Sequence, residues 1–170
     1  MRKFILGVIF TVVALLAGGL SVILLGFINT DADQAPGGLE KWLAHETVEA
    51  SIGKRAPHVS NPLPVTDATL IEGMKTYLMA CAECHGGADK KPSVFGVALY
   101  PPAPQLIVKP LHDPEWQIFY VTKHGFRNTG MPAWKGLMSD DDIWKMTGFL
   151  SRVEQLPSAV QVEWNKSAGH

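Results

Sequence analysis

Hydrophobic and polar residues alternate in blocks of different period along this chain, and each block predicts a different element. The first is continuous. From Phe4 to Ile28 there is no charged residue, and only Thr11 and Ser21 carry polar side chains. As a helix this run is about 37 Å long, enough to cross a hydrocarbon layer of ~30 Å with some tilt. Arg2 and Lys3 precede it, while Asp31 and Asp33 follow. An excess of positive charge marks the cytoplasmic end, so the remainder of the chain is expected on the exported side. A cleaved leader has a shorter apolar core followed by an A-x-A-like site. Neither feature is present, so residues 1–29 are expected to be an uncleaved single-pass anchor. Ala14 with Gly18, and Ala17 with Ser21, are small pairs one turn apart, which would let another membrane helix approach closely.

The next block is polar and then amphipathic. Asn29 to Gly38 reads as an exit from the membrane. Leu39, Trp42, Leu43, Val48 and Ile52 fall roughly on one helical face, and Gly53 is the expected stop. Packing on the rest of the chain is the simplest use of that face; the membrane interface and a partner subunit are the others. Pro57, Pro62 and Pro64 make Ala56 to Val65 an extended, semi-stiff spacer. Residues 30–65 are thus read as an exported linker.

From Thr66 onward the period is helical. Thr66 or Asp67 suits an N-cap, and Leu70, Met74, Tyr77 and Leu78 follow at helical spacing. A second helix is predicted from Asp113 as N-cap, with Pro114 at the first helical position, Trp116, Phe119 and Tyr120 on the apolar face and Gly125 at the end. A third begins at Ser139. Asp140, Asp141 and Asp142 occupy its first turn, where carboxylates suit the positive end of the helix dipole. Ile143, Met146, Thr147 and Leu150 line its face. Lys91 to Lys109 is proline-rich and predicts a loop. After Pro157 little pattern remains, with Trp164 as the one obvious anchor and a mobile end expected. No strand-like alternation of useful length occurs, so the fold class expected is all-α.

Composition narrows the function little. Of 15 Lys and Arg, removing Arg2 and Lys3 leaves 13 against 16 acidic residues, a net of −3. No basic patch calls for nucleic acid.

The chemistry is concentrated in Cys81-Ala82-Glu83-Cys84-His85. C-x-x-C-H is the spacing of a c-type haem attachment site. Two thiols can add to the two vinyl groups of one porphyrin, and His85 can then offer an imidazole to the iron. Other uses of the pair fit less well. A redox dithiol wants a βαβ context, but these flanks are helical. A tetrahedral zinc site wants two further ligands at short spacing, and no second C-x-x-C or H-x₃₋₅-H is present. A structural disulfide leaves His85 unexplained.

The chain from about Thr66 to Leu156 resembles a class I cytochrome c. Three passages carry the likeness: the helix-forming run from Asp67 into Cys81, the phrase Thr129-Gly-Met-Pro-Ala-Trp134, and the closing run from Ser139 to Leu150. The resemblance implies a small helical domain around one covalent haem c, here spanning residues 66–170 with its tail, behind a single N-terminal transmembrane helix. It implies haem attachment on the exported side of a bacterial inner membrane, in the periplasm, in agreement with the N-terminal charges. It also implies that the first and last helices cross, with Gly73 and Tyr77 meeting the face of Ile143, Thr147 and Leu150.

An electron carrier needs a second axial ligand opposite His85. Met131 is the strongest candidate, lying between Gly130 and Pro132 in a loop before the last helix. A thioether favours ferrous iron and raises the potential. Met74, Met79 and Met146 fall on helices and read as core residues. Met138 lacks the family phrase. His124 would make a bis-histidine site, but the family carries His-Gly here beside a methionine ligand, so His124 reads as a neighbour or surface group. His45, His58, His112 and His170 read as solvated. The resemblance further implies that a proline-loop carbonyl orients His85, with Pro101, Pro102 and Pro104 all open. Trp134 and Arg127 are secondary candidates for the haem edge or propionates.

The function expected is one-electron transfer, with no enzymatic step, by a membrane-tethered monohaem cytochrome. Its partners would be redox proteins, met as a shuttle or within a respiratory or photosynthetic complex. The alternative is a peroxidase-like haem enzyme with an open iron position, against which Met131 argues.

Overall fold

A computed structural model of the chain describes residues 1–168. Every regular element among them is helical, in eight helices, with one isolated backbone bridge between Lys135 and Met138. The chain divides into two compact units, Met1–Ala35 and Pro36–His170.

The first unit is α1, Arg2–Leu24, with all of its residues exposed. It is long and apolar enough to cross a membrane. Its two hydroxyls make no demand on a lipid environment. Thr11 Oγ1 donates to the Gly7 carbonyl at 3.0 Å and Ser21 Oγ to that of Ala17 at 2.8 Å. The helix ends four residues before the apolar run does, because Gly26 takes a φ of +72°.

In the second unit, α2 spans Gly38–Arg55. Gly53 does not stop it, contrary to expectation. The helix runs one half-turn further and ends before Pro57, whose ring excludes helical geometry from the preceding residue. Its apolar face is only half used: Ile52 is buried and Val48 half-buried, while Leu39, Trp42 and Leu43 are exposed. The spacer then runs irregularly to Thr66, held at two points. His58 stacks on Trp116 at 4.0 Å, and Asn61 Nδ2 donates to the Trp144 carbonyl at 3.1 Å.

The core is the crossing of α3, Asp67–Ala80, with α7, Asp140–Leu150. Thr66 caps α3 reciprocally with Thr69, and Ser139 caps α7 by accepting from Asp142 N at 3.1 Å. The crossing is close because of Gly73: a Cβ there would overlap the Lys145 carbonyl of α7. Tyr77 and Ile143, both fully buried, and Leu150 fill the seam as anticipated. Thr147 is buried too, and its hydroxyl has no hydrogen-bond partner.

The helix α6, Glu115–His124, packs on α7. Its N-cap is Pro114, not Asp113, whose carboxylate instead accepts from the Gln117 side chain at 3.0 Å. Its buried residues are Ile118, Phe119 and Thr122, so the packed face is rotated from the one expected. Phe119 stacks on Trp144 at 3.9 Å, whereas Trp116 and Tyr120 are only half-buried. Glu115 ties α6 to the end of α7, accepting from Arg152 at 2.6 Å and from the Ser151 hydroxyl at 2.9 Å. Burial alone would raise its carboxyl, but hydrogen bonds from Arg152, Asn61 and Ser151 outweigh this and hold it below the ordinary glutamate value.

Two further helices were not legible. The proline-rich loop contains α5, Val94–Ala98, capped by Ser93. The tail forms α8, Ser158–Ser167, which packs on α3 and buries Val160 and Trp164. Trp164 sits 5.2 Å from the Phe149 ring and 6.4 Å from that of Tyr77. His170, one of the histidines expected in solvent, lies outside the described residues; His45, His58 and His112 are exposed.

Candidate functional site

Cys81 closes α3 and opens α4, the single turn Ala82–His85. The amides of Cys84 and His85 both donate to the Cys81 carbonyl, at 3.1 and 2.9 Å. The turn therefore presents both thiols and the imidazole from one short piece of backbone. Both cysteines are free; Cys81 is buried and Cys84 half-buried. Burial, reinforced by the nearby Cys84, pushes the Cys81 thiol up to about 12. A reactive redox dithiol needs the opposite, a lowered thiol. Among the described residues no group of three or more His, Cys, Asp or Glu could hold a metal ion.

His85 is oriented by its back. Its Nδ1 lies 2.8 Å from the Pro104 carbonyl. A carbonyl can only accept, so Nδ1 carries a proton; in the neutral ring this assigns the lone pair to Nε2, the tautomer a metal ligand requires. Of the three prolines left open by the sequence, Pro104 supplies this carbonyl.

The segment around Pro104 is itself clamped to the motif. Gln105 Nε2 donates to the Cys84 carbonyl at 3.0 Å and to that of Ala103 at 2.8 Å, while its Oε1 accepts from Ser93 N at 2.6 Å. Leu106 N donates to the His85 carbonyl at 2.9 Å, and the Ser93 hydroxyl donates to the Glu83 carbonyl. At Gly96 a Cβ would overlap the Cys84 carbonyl, so α5 and α4 touch backbone to backbone. Tyr77 adds a fixed point from α3, donating to the Gly86 carbonyl at 2.6 Å. Burial raises its phenol above the ordinary tyrosine value and keeps that donor proton in place. Sequence reasoning missed Ser93 and Gln105. A polar residue in a proline-rich loop carries no local sign of what it will bond.

Thiols, imidazole and Met131 line one cavity of about 390 Å³, whose wall is predominantly apolar. Met131 is half-buried on the loop that follows α6. Three bonds shape the turn before Met131: Met131 N donates to Thr129 Oγ1 at 3.1 Å, Thr129 Oγ1 donates to the Phe126 carbonyl at 2.9 Å, and Phe126 N donates to the Met131 carbonyl at 3.2 Å. A Cβ at Gly125 would overlap the Met131 and Pro132 carbonyls, so the chain closes backbone to backbone there. Trp134 also lines the cavity; Arg127 is exposed and is not among the lining residues.

The remaining methionines separate clearly. Met74 is buried and Met138 half-buried, and neither lines the cavity. Met79, expected in the core, is 81% exposed. Met146 is buried and does line the cavity, with its sulfur 3.5 Å from that of Cys81. His124 is exposed on the far end of α6, tilted against Tyr120 at 4.5 Å. Desolvation and the charges of Lys123 and Lys135 lower its pKa.

An apolar cavity with two adjacent thiols at one edge and an imidazole with a free Nε2 fits a covalently held haem. Residues 68–150 match the family model described as cytochrome c oxidase, cbb3-type, subunit III. A comparison with curated proteins gives no match.

Proposed function

Because residues 68–150 are a class I cytochrome c domain, which carries covalent c-type haem and serves electron transfer, we propose that this chain is a membrane-tethered monohaem electron carrier. Cys81 and Cys84 would form the thioether links, and His85 and Met131 would hold the iron, all four lining one cavity. The anchor is residues 1–29, with the N-terminus cytoplasmic and the haem domain, residues 66–170, in the periplasm. The linker of residues 30–65 joins them. Redox proteins are the partners, met by diffusion in the membrane plane or within an electron-transfer complex.

The observation that carries this reading is the His85–Pro104 bond, since it engages Nδ1 and leaves Nε2 as the ring nitrogen available to a ligand in the cavity that Met131 also lines. When bound, haem supplies the one-electron couple. The chain has three tasks. His85 is held at fixed orientation by the Pro104 carbonyl. Met131 is held by its loop, so that ligation does not rearrange between oxidation states. The apolar wall excludes water, which strengthens every electrostatic effect on the iron.

Two measurements test it. The mass of the mature product should exceed that of the polypeptide by one haem; an unmodified mass overturns the reading. The ferric protein should be low-spin with a methionine-to-iron charge-transfer band, and Met131→Ala should keep the covalent haem but lose that band. An unchanged spectrum in the variant removes Met131. A high-spin ferric wild type would point to an open iron position and to enzymatic chemistry. Sizing after gentle detergent extraction separates a free carrier from a complex subunit.

A further inference from the structure

The cavity wall is not built from the cytochrome domain alone. Val48, Glu49 and Ile52 of α2 line it. Yet α2 ends at Arg55, and the family match begins at residue 68. Val48 and Ile52 are one turn apart on one face, and Ile52 is only 6% exposed. They share the lining with Ile118 and Val121 of α6, against which α2 packs.

The attachment of α2 is uneven. Its C-terminal end leads into Ala56, 6% exposed, and then into the spacer held by the His58–Trp116 stack and the Asn61–Trp144 bond. Nearer its N-terminus a single long hydrogen bond, from Tyr100 Oη to Glu40 Oε1 at 3.4 Å, reaches the proline loop. The turns of α2 over the cavity are thus its anchored end, so the helix forms a fixed lid there.

We propose that α2 is a lid on the haem cavity and tunes it by two opposed effects. This rests on the haem reading above. Val48 and Ile52 keep water from the iron, which disfavours the more highly charged ferric state. Glu49, an exposed residue of the lining, adds a carboxylate to this side of the cavity, which favours the ferric state. Removing the apolar cover therefore lowers the potential, and removing the carboxylate raises it. These are positioning residues: none of them is a ligand.

The test uses the full chain in detergent, with midpoint potentials by spectroelectrochemistry and imidazole titration of the ferric protein. Ile52→Val and then Ile52→Ala should raise imidazole affinity stepwise, by about fourfold for each buried methylene removed, and should lower the potential. Glu49→Gln should raise the potential, by less as salt is added, with imidazole affinity unchanged. If the Ile52 variants lose thermal stability while affinity and potential stay at wild-type values, Ile52 is core packing and the lid is overturned. Potentials moving in the same direction for Ile52→Val and Glu49→Gln overturn it equally. A wild type without the methionine band removes Met131 as ligand, yet the opposed potential shifts still decide the lid. Absence of haem, seen by mass beforehand, overturns both.

Discussion

The two sides of the cavity are built on different plans. His85 sits on a helical turn clamped from three directions: by Pro104 and Gln105, by α5 through Gly96, and by Tyr77 from α3. Met131 sits on a loop whose shape depends on Thr129, Phe126 and the placement of α6. Each side has one close backbone contact, α5 on Cys84 through Gly96 and the Met131 and Pro132 carbonyls on Gly125. They differ in what surrounds that contact: the first side is also held by side chains from two other segments, whereas the second hangs on one loop after α6, a helix itself tied down by an ion pair. The difference teaches where tuning is cheap. A ligand on the suspended side can be adjusted by its supports, whereas changes on the clamped side disturb the fold.

The largest effect is expected on the clamped side. Gly96→Ala forces α5 from the Cys84 carbonyl and should cost on the order of 3 kcal/mol, read as a lower midpoint in denaturant. A wild-type midpoint would show that α4 and α5 are not in contact. Gln105→Ala comes next. It leaves the Cys84 and Ala103 carbonyls and the Ser93 amide without a partner and should cost about 2 kcal/mol.

The suspended side should yield less stability and more spectroscopy. Thr129→Val removes the acceptor of the Met131 amide and should cost about 1 kcal/mol. Its sharper signature is a shifted methionine-to-iron band, which Gln105→Ala should leave in place. The reverse pattern would undo the contrast between the two sides.

The smallest effect concerns pH. The Glu115 carboxyl lies below its ordinary value in the folded chain, chiefly because hydrogen bonds from Arg152, Asn61 and Ser151 overcome its burial. The stability this contributes is complete above the ordinary glutamate value and is lost as pH falls through the folded one. Glu115→Gln should cost about 1 kcal/mol at neutral pH, allowing for solvent screening of a partly exposed pair. The cost should disappear in acid, measured as convergence of the two melting temperatures. A cost independent of pH would assign Glu115 a packing role alone.

Several parts were legible from the amino acids because their causes are local. Two thiols and an imidazole within five residues carry their chemistry in their spacing. Caps at Thr66 and Ser139 and the apolar spacing of α3 and α7 depend on neighbours three or four positions away. The helix α8 was hidden because it buries mainly Val160 and Trp164, too few positions for a visible period. Its stability comes from packing on α3. The face of α6 was misjudged for a related reason: Trp116 and Tyr120 are large, but the rotation of the helix is decided by the Phe119–Trp144 stack.

By itself, then, the order of residues determined a helix long and apolar enough to cross a membrane, the C-x-x-C-H spacing, the caps and the two crossing helices, since each follows from composition, spacing or capping over a few positions. Tertiary structure alone decided that Pro104 rather than Pro101 or Pro102 faces His85, that Gln105 locks the loop, that Met79 is exposed, and that Val48 and Ile52 of α2 line the cavity. Each of these depends on which surfaces meet across tens of residues. Such meetings are settled by packing and by hydrogen-bond partners, neither of which leaves a mark in the local pattern.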